Sequence, residues 1–180
     1  MGAKEKRKRT NEDVFKRSSK NGVEDLLSLL YENVLLFCES NRLDTLSYAN
    51  IDSKEFKGYL NGMSFFEYND TKKVQKGYFE NPSKKWFLKK TISAEVLNNK
   101  IIFVSTGNKI KCLLKHIRNA FAHNLIVIDE GNVILGDFVV GKKKQINMDR
   151  PTMLGRVSVE NFKLIINAIK KIADNNEKKK

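Results

Sequence analysis

Between Lys109 and His123 the apolar residues Ile110, Leu113, Leu114, Ile117 and Phe121 recur at i, i+3, i+4, i+7 and i+11. That spacing puts one continuous apolar stripe on an α-helix and fits no strand. Thr106 or Asn108 stands where an N-cap belongs. After Asn124 the period changes. Leu125–Ile128 and Val133–Leu135 flank Asp129-Glu130-Gly131-Asn132, a turn composition, and the segment reads as a β-hairpin. Phe138–Val140 and Gln145–Met148 extend it on either side of Gly141 and a Lys142–Lys144 run. Ser158 then caps a second helix through Val159, Phe162, Ile165, Ile166, Ile169 and Ile172.

The N-terminal half is read the same way. Asn21 and Glu24 form a capping pair ahead of an apolar stripe from Leu26 to Phe37, which predicts a core helix to about Asn41. Residues 42–90 carry short apolar bursts at Phe56–Leu60 and Phe65–Tyr68 and are expected to form helical pieces and loops. Residues 92–104 are expected to add another core helix, with Ile101–Val104 alternatively extended. The expectation is a mainly α protein, a helical bundle with a small antiparallel β-hairpin insert at 125–148 between the last two helices. Residues 1–20 read as a flexible basic arm, 21–174 as the helical domain and 175–180 as a basic tail.

Composition excludes several classes. The 180 residues are 41% hydrophobic, enough for one core without disulfides or metal. No apolar run approaches the roughly 20 residues of a membrane span, and no apolar segment follows the basic N-terminus as in a secretory signal. Two cysteines, Cys38 and Cys112, fall within predicted helices as packing residues and suit a reducing, cytoplasmic setting. There is no C-x-x-C or H-x-x-x-H spacing, so no metal site and no cofactor are expected. Thr106-Gly107-Asn108-Lys109 lacks the Gly-Lys-Ser/Thr ending of a phosphate loop.

The net charge of +13 points to a polyanionic partner, most simply nucleic acid. It is unevenly placed. Residues 1–20 hold +5, residues 170–180 hold +3, and residues 72–90 hold +6. In that last segment Lys84 and Lys85 adjoin Trp86, a basic and aromatic combination suited to phosphate contact and base stacking. Lys84, Lys85 and Trp86 are therefore candidate RNA contacts.

Both histidines of the chain, His116 and His123, lie on the 109–123 helix. With about 100° per residue and Ile117 centred on the buried face, His116, Asn119 and His123 share one flank. Lys111, Lys115 and Arg118 share the other, and Lys115 and His116 join the candidate RNA contacts. A histidine can exchange a proton near pH 7, and an arginine can stabilise the charge of a phosphoryl transition state. With RNA the 2′-hydroxyl supplies the nucleophile. Arg118 and His123 are about 140° apart around one helix, so they converge only if a second copy faces the first.

Arg118-Asn119-Ala120-Phe121-Ala122-His123 resembles the R-x4-6-H signature of the HEPN superfamily, with Asn in the usual polar position after Arg. The framing sequence LLKHIRNAFAHN is similar to that family's as well. The resemblance implies a helical bundle that dimerises through the motif helices. It implies metal-independent endoribonuclease activity leaving a 2′,3′-cyclic phosphate and a 5′-hydroxyl, as in toxin–antitoxin and phage-defence systems. Arg118 and His123 would be catalytic and Asn119 would position or polarise the site. An antitoxin or defence-system protein would be a further partner, and no membrane is involved. Position 125 is Leu, a departure from the R-x4-H-x-Y of toxins paired with nucleotidyltransferase antitoxins. The alternative is a non-catalytic HEPN-like module that binds RNA or protein.

Overall fold

The computed structural model describes residues 23–69, 97, 99–141 and 146–179. The 1–20 arm, the Asn21 cap, the 72–90 basic segment with Lys84, Lys85 and Trp86, and most of the 92–99 stretch lie outside the described residues.

Three helical stretches follow head to tail at the start. Val23–Leu30 is α-helical, Tyr31–Leu35 is a π-turn, and Leu36–Glu39 returns to α geometry. Leu30, Leu35 and Leu36 all keep right-handed helical dihedrals, so these form one rod, α1. The wider π-turn adds a residue to one turn and keeps Leu26, Leu30, Val34 and Phe37 on the buried face. A 3₁₀ segment, Asn41–Leu46, follows, then α2 (Lys54–Tyr59), whose Ser53 cap accepts from the Phe56 N–H at 3.1 Å.

The fold departs from the expected helical bundle. A five-stranded mixed sheet of order β1-β2-β5-β4-β3 forms one layer: β1 (Phe66–Asn69), β2 (Lys100–Val104), β3 (Ile126–Asp129), β4 (Asn132–Val140) and β5 (Ile146–Ser158). β1 and β2 are parallel and every other pair is antiparallel. The hairpin is therefore no small insert. Through β5 its strands join β2 and, beyond it, β1, two strands from earlier in the chain.

The reasons for the difference lie in particular residues of β2 and β5. Ile101-Ile102-Phe103 is buried on both sides of the sheet, and a short run buried on two faces has no period to read. β5 contains Pro151 and Gly155, which mimic a loop. Pro151 sits opposite Phe138 where the β4–β5 register shifts, a place where a strand tolerates proline. Gly155 lies between Ile101 and Leu135 on the flanking strands. A Cβ there would stand 3.0 Å from Ile101 Cγ1 and 3.2 Å from Leu135 Cγ, so any side chain would require both neighbours to give way.

Helices α3 (Lys109–Ala122) and α4 (Val159–Glu177) form at the expected positions, capped by Asn108 and Ser158. Ser158 Oγ accepts from the Asn161 N–H at 3.1 Å. α1, α3 and α4 bury their stripes against Ile101, Phe103, Val133, Leu135, Met153 and Val157 of the sheet. On the opposite face, Leu97, Ile102, Ile134, Phe138 and Leu154 form a smaller cluster. At the far end of α4, Arg42 grips Asp174 at 2.8 Å and Glu177 at 2.7 Å, tying the 3₁₀ segment to it. Among the described residues no helix is long and apolar enough to cross a membrane.

Candidate functional site

α3 is fixed at both ends. Asn108 Oδ1 accepts from the Lys111 N–H at 2.9 Å, while its Nδ2 lies within reach of the carbonyls of Leu46, Ser47 and Ala49. The cap thus also pins the loop after the 3₁₀ segment. At the other end Asn124 takes φ +57°, a left-handed conformation that asparagine adopts at modest cost. Leu125 N–H then reaches Ala120 O at 2.7 Å, and Asn124 N–H reaches Phe121 O at 3.0 Å. These two bonds make a Schellman closure. His123 is left as the C-cap residue, where a histidine also suits the negative end of the helix dipole.

The two flanks of the helix meet different surroundings. Lys111 Nζ approaches Asp44 at 3.2 Å and Ser47 Oγ at 2.8 Å. Arg118 Nη2 donates to Glu39 Oε1 at 2.9 Å, a half-exposed pair across to the end of α1. Lys115 is exposed. The flank of His116 and Asn119 is partly covered by β4. There Asp137 is 4% exposed and lies on the same strand face as Val133 and Leu135, as a period of two requires.

Asp137 is the hub of this flank. Its Oδ2 is 2.7 Å from His116 Nδ1 and accepts from Asn119 Nδ2 at 3.2 Å, and its Oδ1 accepts from the Phe138 N–H at 2.9 Å. His116 Nε2 lies 2.8 Å from Val104 O. A carbonyl only accepts, so Nε2 carries hydrogen, and one proton lies between Nδ1 and Oδ2. Both nitrogens of His116 are therefore taken, leaving it no free polar atom for RNA. With its Nδ2 turned to Asp137, Asn119 points Oδ1 at Arg118 Nη1, 3.4 Å away. That is long for a hydrogen bond but favourable in sign.

Among the described residues Arg118 and His123 share no partner within one chain. His123 is exposed, and among the described residues its ring has no hydrogen-bond partner. Cys38, beside Glu39, lies in the field of Arg118 and Lys115. Burial pushes its thiol up to about 11, and those two cations pull the other way without cancelling the effect.

Asp137 is the residue sequence reasoning missed. Its signal was legible: one carboxylate inside the otherwise apolar stretch from Val133 to Val140. A buried, unpaired carboxylate is costly, so such a residue implies partners. Elsewhere, a cavity of about 590 Å³ opens beside β1, lined by Asp52, Lys57, Met63, Phe66, Glu67 and Tyr68 among others. It shares no lining residue with α3. Among the described residues no three His, Cys, Asp or Glu side chains gather as a metal site would require. No protein-family model, no curated protein and no solved structure matches this chain.

Proposed function

We propose that this protein is a metal-independent endoribonuclease that works as a homodimer, in a toxin or phage-defence role. His123 is the general acid and base, Arg118 stabilises the phosphoryl transition state, and Asn119 positions Arg118. The observation that carries the reading is the state of the last turns of α3. Among the described residues the exposed His123 ring has no partner at its closed helix end, and Arg118 is drawn outward by a half-exposed surface carboxylate, Glu39. Exposed ion pairs are worth about 0–1 kcal/mol, so an RNA phosphate can displace Glu39 from Arg118 at little cost. The two residues lie on different sides of one helix, so a second copy completes the site.

The test is cleavage of tRNA and mRNA pools with EDTA present. Wild type is expected to leave 2′,3′-cyclic phosphate ends, and His123→Ala to lose about 100-fold or more of the rate. An inert wild type, or a His123→Ala variant of equal activity, refutes the reading. So does a monomer by light scattering at working concentration.

A second reading has its own support, because Arg118 is already paired with Glu39. In it the same basic protein binds RNA without cutting it. Binding would then weaken steeply with salt and survive His123→Ala.

A further inference from the structure

We infer that Asp137, brought to α3 by strand β4, is a positioning residue that sets the amide of Asn119 and through it the guanidinium of Arg118. The inference rests on the reading of Arg118 as the cation of the site, and it gives the sheet a part in that site.

An ionised carboxylate only accepts, so Asp137 Oδ2 selects the NH₂ end of the Asn119 side chain. The amide oxygen is then forced to the opposite side, where Arg118 Nη1 lies. Asp137 cannot turn to release it. Its other oxygen holds the Phe138 N–H on its own strand, and Oδ2 is also engaged by His116, itself anchored to Val104 of β2. The orientation is therefore imposed by two strands of the sheet, and no part of it depends on Glu39. When a phosphate displaces Glu39, Arg118 still has a fixed neighbour on its other side.

Reciprocal exchange of amide and carboxylate provides the test. In Asp137→Asn, the new amide oxygen stays on the Phe138 N–H and its NH₂ faces that of Asn119. Asn119 must turn over, setting its own NH₂ against Arg118. In Asn119→Asp, two carboxylates face each other. Combining both substitutions restores complementarity: the amide at position 137 donates to the carboxylate at position 119, which still accepts from Arg118. His116 is satisfied too, since Nδ1 can accept from that amide while Nε2–H keeps Val104 O.

The expected result is a fall of about 10–100-fold in kcat at saturating RNA for each single variant, with KM little changed. The double variant recovers to within about threefold of wild type. A single Asp137→Asn with wild-type kcat overturns the inference, as does a folded double variant no faster than the slower single. A second readout needs no activity. The ¹⁵N resonances of the Arg118 side chain should change in Asp137→Asn and return in the double variant, and unchanged resonances in Asp137→Asn overturn the proposal. If wild type cleaves no RNA, the functional reading fails while these resonances still decide the role of Asp137. Should Asp137→Asn not fold, Asn119→Ala carries the test. Arg118 resonances identical to wild type in that variant overturn the proposal.

Discussion

Cys38 lies next to Glu39 and within the field of Arg118, a place where a reactive thiol would draw notice. Its environment makes it inert. Burial disfavours the thiolate and holds the group near 11, against an ordinary value of 9.0, although Arg118 and Lys115 favour the charged form. At pH 7 Cys38 is a thiol, and iodoacetamide is expected to label it slowly, at a rate still climbing with pH beyond pH 9. Labelling at pH 7 as fast as a free cysteine would contradict this. The packing role assigned to Cys38 and Cys112 from their helical positions agrees with their partial burial against the core. Asp137 teaches the reverse. Its charge was visible in the chain, but its partners lie 18 and 21 residues away on another element, and no local pattern names them.

Among the elements, α3 and α4 were legible to their caps, because a helix is specified by neighbours within four residues. Apolar stripes, Asn108 and Ser158 all act at that range. β2 stayed open between helix and strand, and of β5 only the start at Gln145–Met148 was legible, because a strand is specified by what pairs with it. Gly155 shows this most sharply. Nothing within four residues of it marks its role, which in the fold is that of a contact point between Ile101 and Leu135. Gly155→Ala is expected to destabilise the protein by about 1–3 kcal/mol through overpacking in the middle of the sheet. Urea unfolding measures it, and a stability equal to wild type would mean that the flanking strands move apart freely.

Across the whole molecule, Asp52 joins three parts of the chain. Tyr68 of β1 donates its hydroxyl to Asp52 Oδ2 at 2.6 Å, and Lys109 at the start of α3 reaches the same oxygen at 3.2 Å. Lys109 also lies over the Tyr68 ring, 4.0 Å from its centre. The Tyr68 hydrogen bond, with Lys109 after it, lowers the Asp52 carboxyl below its ordinary 3.8. A carboxyl lowered in the folded state contributes stability above the unfolded value and loses it as pH falls through the folded one. The stability gap between wild type and Asp52→Asn should therefore be constant from pH 7 to about 5 and close below about pH 4. A gap that persists at pH 2.5 would show that the contact acts through shape alone. The size is modest, since the pair is half exposed.

The sequence by itself determined helices α3 and α4, where each begins, and which side chains share each flank of α3. It also located the charge, most of it in segments 1–20, 72–90 and 170–180. Only the tertiary structure decided that one flank faces a sheet, that β4 supplies Asp137 to it, and that Arg118 turns toward α1. Helical periodicity is written in adjacent turns, whereas strand pairing and register are settled between distant segments, and a shift of one residue in β4 would turn Asp137 to the opposite face.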